Sequence, residues 1–294
     1  MDAEPEAYRD VFTASAEPPA SRRRRIEATN QISRKKCRKV LEIELNFGAI
    51  LLLCLAGFLA GGINTVAGGG SNLTLPVLMM LGLPADVANG TNRVGIWLQC
   101  LAGVRAFDRH EALHRAAVVP VFVPTLSGGL AGALLAVILP NLYLKPVLLI
   151  CILVMAVMML VKPEVIAPPP GTATRSPSES RFAWWGLFGA GVYGGFVQAG
   201  VGFILLAVLT AGLRYDLLRA NALKMSCALA FTTVALAVFI VFGKVHWLPG
   251  LVLAAGAVAG AWLAVRIAVN VSHLTLRRIL FVLTLVAVAG GFLV

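Results

Sequence analysis

Two stretches of this 294-residue chain carry side chains of the right type and spacing for chemistry, and they point to different kinds. Residues 110–114 read HEALH, which sets His110 and His114 one helical turn apart with Glu111 between them. On a helix this pattern holds the zinc of a hydrolase, with the glutamate as general base. A catalytic zinc also needs a third protein ligand and an open position. The other two histidines, His246 and His273, belong to distant loops, and the motif sits in a short charged connection beside Asp108, Arg109 and Arg115. The expectation is therefore a polar loop, with no metal site, no catalytic residue, no cofactor and no enzymatic activity. An intramembrane metalloprotease is the alternative that the motif defines.

The second stretch is GGINTVAGGGSNLTLP, residues 61–76. Consecutive glycines at Gly68, Gly69 and Gly70 cannot continue a helix stably, and they leave backbone N–H groups open to a ligand. A helix starting near Asn72 would aim its positive end back at this break, which suits an anion. A weaker copy, QAGVGF at 198–203, sets Gly200 and Gly202 in equivalent places. Polar residues gather around the two breaks: Asn64, Thr65, Ser71, Asn72 and Thr74 at the first, Gln198 at the second. Asn89 and Asn221 open the element that follows in each case, succeeded by Thr91, Asn92 and Arg93 in one and by Lys224 in the other. Neutral amides and hydroxyls can hydrogen-bond an oxyanion without titrating, while Arg93 and Lys224 supply attraction. Helix capping is the competing role for Asn89 and Asn221, and close packing through small residues is the competing role for the glycines.

These residues need a framework, and composition names it. The chain is 59% hydrophobic and only 13% charged, against about a quarter charged in a soluble domain. Its apolar stretches are continuous rather than alternating, and roughly 15–22 residues suffice to cross a hydrocarbon core of about 30 Å as a helix. The class is an all-α, polytopic membrane protein. Candidate elements run at about 47–66, 72–82, 93–107, 117–138 and 145–161, then at 182–198, 202–213, 220–242, 248–267 and 276–293. Residues 1–45 form a basic tail expected to be disordered, 46–163 a first membrane unit, 164–181 a Pro/Ser-rich linker and 182–294 a second unit. The formal charge of +11 does not signal nucleic acid, because ten of the 25 Lys and Arg lie in the tail, nine of them at 22–39. A basic run beside a first membrane helix suits anionic lipid headgroups. The five cysteines are scattered without metal-ligand or CxxC spacing.

The two units match each other. A shift of 132 residues pairs Gly57 with Gly189, Gly62 with Gly194, Gly68 with Gly200, Gly70 with Gly202 and Asn89 with Asn221. A shift of 128 pairs Gly128 and Gly132 with Gly256 and Gly260, both GxxxG patterns suited to close helix contact within a subunit or across a homodimer. Five elements per unit give an odd number of crossings, whether the short element crosses or returns with its neighbour as a re-entrant hairpin. The expected fold is thus a bundle of two pseudo-symmetric, inverted repeats with broken elements. Loops at 105–115, 162–181, 214–224 and 266–278 hold twelve Lys and Arg, against three at 83–93, 140–145 and 243–247, which assigns the first group to the cytoplasm. Beyond residue 45 the acids are Asp86, Asp108, Glu111, Glu164, Glu179 and Asp216, all expected in loops. With no carboxylate inside a span, an anion is favoured over a cation as substrate.

The segments GFLAGGINTVAGGGSNLTLPVLMMLGLPADVANGTN (57–92), GLFGAGVYGGFVQAGVGF (186–203), SGGLAGALLAVILP (127–140) and FGKVHWLPGLVLAAGAVAGAWLAVRIA (242–268) resemble the TauE/SafE sulfite-exporter-like transporters over about 50–294. The resemblance implies movement of sulfite, organosulfonates or related small anions across a bacterial inner membrane. A passive anion channel is the alternative that shares the broken elements.

Overall fold

A computed structural model describes residues 46–66, 68–109, 113, 115–161, 168–169 and 171–267, all within the unit Glu44–Val294. The tail 1–45, His110, Glu111, Ala112 and His114 of HEALH, and the apolar stretch 276–293 lie outside the described residues. Among the described residues there are nine α-helices and no strand: α1 (Phe47–Val66), α2 (Ser71–Met80), α3 (Ala85–Arg109), α4 (Arg115–Ile138), α5 (Asn141–Val161), α6 (Arg181–Phe196), α7 (Val201–Ala207), α8 (Leu217–Val241) and α9 (Trp247–Ile267). A π-helical turn, Val208–Gly212, extends α7, and a 3₁₀ turn, Pro177–Glu179, precedes α6.

Five helices, α1, α4, α5, α8 and α9, are long and apolar enough to cross a membrane. Their outward faces carry exposed Leu55, Val119, Ile150, Val154 and Leu251, as a hydrocarbon solvent requires. Exposed Phe182 and Trp185 ring one end of the bundle, while Tyr143 and Trp247 mark the start of α5 and α9 at the other. Aromatic side chains of this kind sit at membrane interfaces. The long helix missing from the five is α3, which carries Asp86, Asn89, Asn92, Arg93 and Gln99, all buried. It can be polar because protein surrounds it: α9, α8, α2 and α5 all pack on it.

Glycines set the helix pairing and reveal its direction. A Cβ on Gly57 would overlap the Leu253 carbonyl oxygen, and one on Gly61 that of Ala257; Gly256 and Gly260 abut the Cys54 and Phe58 carbonyls in return. Residue numbers rise together along this contact, so α1 and α9 run parallel. The same holds for α4 and α6, where Gly128 and Gly132 meet the Phe188 and Val192 carbonyls and Gly191 and Gly195 meet those of Thr125 and Gly129. Both GxxxG patterns are therefore used inside the subunit. Along α3 and α8 the numbers run oppositely, from Gly90 beside Lys244 to Gly103 beside Met225, so these two are antiparallel.

From these directions the path of the chain follows. The α4–α5 and α8–α9 turns lie at one end with the start of α3, bolted there by Asp86, whose carboxylate meets Lys244 Nζ at 2.6 Å and accepts from Asn141 Nδ2 at 2.8 Å. Helix α1 starts at this same end, and α2 returns to it. Helices α6 and α7 enter from and return to the opposite end.

Two expectations about element limits fail. Helix α3 starts at Ala85 rather than near 93, and α8 at Leu217 rather than 220. Consequently Asn89 and Asn221 sit a turn inside their helices and cap neither; the N-cap of α8 is Asp216, which accepts from Arg219 N at 3.0 Å. Asp86 belongs to the first turn of α3 rather than to a loop. Arg93 and Lys224, counted above as loop charges, are buried helix residues. In each case a polar run resembles a connection in sequence, but tertiary burial supplies its partners.

Candidate functional site

The first break begins where α1 stops at Val66. Gly68 has φ +85°, a left-handed conformation natural to glycine. Its N–H donates to the Ile63 and Asn64 carbonyls at 3.2 and 3.0 Å, closing the helix C-terminus. The expectation of a free N–H at Gly68 is thereby corrected. The second break follows Phe196, where Gln198 has φ +67° and Gly200 φ +74°. The two breaks touch. A Cβ on Gly68 would lie 2.7 Å from the Gly202 Cα, and a Cβ on Gly202 would overlap Gly68 in turn. Helices α2 and α7 start within a residue or three of this contact, so their positive ends converge on it.

Beside the contact lies a cavity lined by Asn64, Ser71, Gln198, Gly202, Lys224 and apolar Ile96, Val201, Met225, Ala228 and Phe231. Its volume is about 10 Å³, on the order of one water by this measure. Five of the expected site residues thus share one space. Lys224 is 1% exposed, and its ammonium donates to the Asn64 and Thr65 carbonyls at 3.2 and 3.3 Å and to Asn221 Oδ1 at 2.8 Å. Both carbonyls belong to the last turn of α1, which lacks donors of its own there; the Asn64 carbonyl also accepts from Gly68 N–H. A cation there also meets the negative end of the helix dipole.

Arg93 performs the corresponding task for the other break. Its guanidinium donates to the Gly194 and Gly195 carbonyls in the last turn of α6 and to Asn89 Oδ1, and it stacks 4.8 Å over the Phe239 ring. Asn89 Nδ2 adds a bond to the Phe196 carbonyl at 2.7 Å. Each cation therefore grips a broken helix distant in the sequence: Arg93, together with Asn89, holds α6, and Lys224 holds α1, while Asn221 accepts from Lys224 and donates to the Leu217 carbonyl within α8. Arg93 and Asn89 do not line the cavity.

The remaining expected residues divide by role. Thr65 Oγ1 bonds back to the Gly61 carbonyl, Thr74 Oγ1 donates to Asn92 Oδ1 at 2.7 Å, and Thr91 Oγ1 accepts from His246 N at 2.9 Å. Gly70 gives α2 close approach to the Ala60 carbonyl, and Gly200 rests on Met155. Gly69 and Asn72 are buried in the first break. Gln198 Oε1, Asn92 Nδ2 and Arg93 Nε are buried near the breaks without a hydrogen-bond partner among the described residues.

Sequence reasoning missed Gln99 and Thr232. Gln99 accepts from Asn64 Nδ2 at 3.2 Å and donates to the Gly61 carbonyl at 3.1 Å; Thr232 Oγ1 accepts from Gln198 Nε2 at 2.8 Å. The signal for Gln99 is its spacing: Asn92, Ile96 and Gln99 share one face of a helix once its true start is known. No group of three metal-ligating side chains occurs among the described residues.

A long polar helix lies buried among apolar ones, beside two broken helix pairs in contact with a cation bound to each, and sequence comparison places this arrangement in a family. The profile of the sulfite exporter TauE/SafE family matches residues 53–290. The chain belongs to the TauE/SafE family. It is similar to a probable membrane transporter protein of Sinorhizobium sp, 27% identical over 250 residues that cover 82% of this chain and 92% of that protein. A probable membrane transporter protein of Haemophilus influenzae is 25% identical over 84% of this chain and 96% of its own length. One of Escherichia coli K12 is 26% identical over 80% and 86%. No solved structure matches the chain. As a TauE/SafE member with five apolar spanning helices, the protein is an integral membrane protein of a transporter family.

Proposed function

We propose that this TauE/SafE protein moves a small oxyanion, such as sulfite or an organosulfonate, across a bacterial inner membrane through the cavity between its two breaks. The observation that carries the reading is Lys224, a fully buried cation on the wall of a cavity that also offers Asn64, Ser71 and Gln198. An ion at membrane depth costs at least several kcal/mol unless the protein replaces its water. Charge-assisted hydrogen bonds return about 1.5–3 kcal/mol each, so three or four from Lys224, an amide, a hydroxyl and a helix N-terminus offset that cost. A volume of about 10 Å³ holds no four-atom oxyanion, so the breaks must part to admit one.

The two units are, in this reading, inverted copies. Supporting it, α1–α9 and α4–α6 form matching glycine-lined parallel pairs, and the cations Lys224 and Arg93 each grip the opposite unit's broken helix. The end from which α6 enters is assigned to the cytoplasm by its basic loops. A cavity too small for the anion favours gated transport over a passive channel. The test is flux: the protein reconstituted in liposomes is offered sulfite, sulfate, thiosulfate and organosulfonates. Saturable uptake of at least one is expected, and no uptake of any would remove the reading.

A further inference from the structure

We propose that Lys224 is a tie that the substrate releases, so that anion binding loosens α1 while Arg93 keeps α6 fixed. This rests on the proposed anion site and adds how occupancy becomes movement. The ammonium has three N–H groups, and all three are spent on Asn64 O, Thr65 O and Asn221 Oδ1. Two of these acceptors are carbonyls at the C-terminal end of α1, and the third is a side chain from the ammonium's own helix. An oxyanion entering the cavity next to Lys224 must compete with them, because the ammonium has no free donor to give. Anionic oxygens accept more strongly than neutral carbonyls. An ammonium is moreover a point charge on a flexible stem that can re-aim its donors. Once it turns, the Thr65 carbonyl loses the Lys224 donor, the Asn64 carbonyl keeps only the Gly68 N–H, and the tie between α1 and α8 is released.

Arg93 is built for the opposite behaviour. Its planar guanidinium engages Gly194, Gly195 and Asn89 together and is clamped over Phe239. Asn89 separately holds the Phe196 carbonyl. No residue of this cluster lines the cavity beside Lys224. A ligand there competes with nothing that Arg93 holds. Occupancy then changes one broken helix and leaves its counterpart in place, which gives binding a direction in which to move the protein.

Hydrogen–deuterium exchange of the full chain in nanodiscs, with sodium sulfite or with sodium chloride at equal ionic strength, tests this. Peptides covering 61–70 are expected to exchange roughly tenfold faster with sulfite, equal to about 1.4 kcal/mol of lost local stability, while 193–199 stays unchanged. The Lys224→Met variant should exchange fast over 61–70 in both salts. The wild-type comparison stands alone should that variant fail to fold. Labelled sulfite is measured on the same samples. Sulfite bound with exchange over 61–70 slowed, unchanged, or raised equally at 193–199 overturns the tie and leaves the anion site standing. Absence of any bound sulfite removes both.

Discussion

The two broken helices end in the same way and are held in different ways. At the end of α1, a lysine offers its three donors beside a cavity; at the end of α6, an arginine is sandwiched between carbonyls and a phenyl ring. The comparison separates structural need from function. Every buried helix C-terminus needs donors, so a cation at each break requires no substrate to explain it. What structural need does not explain is why one of the two cations borders open space. The function is therefore sought at Lys224, and Arg93 serves as its built-in control.

The most disruptive way to probe this arrangement is to force the breaks apart. Gly202→Val should abolish transport, since even a Cβ there overlaps Gly68. Gly189→Ala, the same residue type in the same unit with nothing within 4 Å, should transport like wild type. Gly57→Ala, its partner under the 132-residue shift, should behave unlike Gly189→Ala because Leu253 blocks it. Flux in liposomes, normalised to folded protein by size-exclusion chromatography, distinguishes these.

Next in size, Arg93→Met should cost stability more than Lys224→Met. It strands the Gly194 and Gly195 carbonyls, and hydrogen bonds to a charged group contribute about 1.5–3 kcal/mol each. Thermal unfolding in detergent reads this order, and equal melting temperatures would erase the proposed division between fixed and releasable ties.

How far the sequence foretold this pattern differs along the chain. Apolar runs such as 47–66, 117–138 and 248–267 gave helix limits within about two residues of those found, because a lipid solvent leaves a continuous helix as the only satisfied form. The Asn89–Arg93 region misled for the complementary reason. Polar residues signal a connection only where water is their partner, and here the partners are carbonyls more than a hundred residues away. Spacing does reveal that Asn89 and Arg93, or Asn221 and Lys224, share a helix face. It does not reveal that Asn89 and Arg93 reach α6, or that Lys224 reaches α1. Contact between Gly68 and Gly202 was legible as an expectation from matching motifs, while the placement of the cavity on the Lys224 side was not.

Smaller effects belong away from the breaks. Asp86→Asn removes the ion pair to Lys244, whose side chain is 34% exposed; a partly solvated pair of this kind is worth about 1 kcal/mol or less. A modest fall in melting temperature with transport retained is expected, and loss of transport would make that end of the bundle part of the mechanism. Smallest of all, His110→Ala and Glu111→Ala should leave flux near wild type. Loss of flux together with stoichiometric bound zinc would restore the hydrolase reading of HEALH.

The central claim is that Lys224, at the contact of the two breaks, holds the transported anion. Binding of labelled sulfite to purified protein in nanodiscs tests it most directly, comparing wild type, Lys224→Met and Arg93→Met, each confirmed as folded. The account predicts saturable binding in wild type and in Arg93→Met, with affinity reduced at least about tenfold in Lys224→Met, the 1.4 kcal/mol or more of one lost charge-assisted bond. Undiminished sulfite binding by folded Lys224→Met would contradict it.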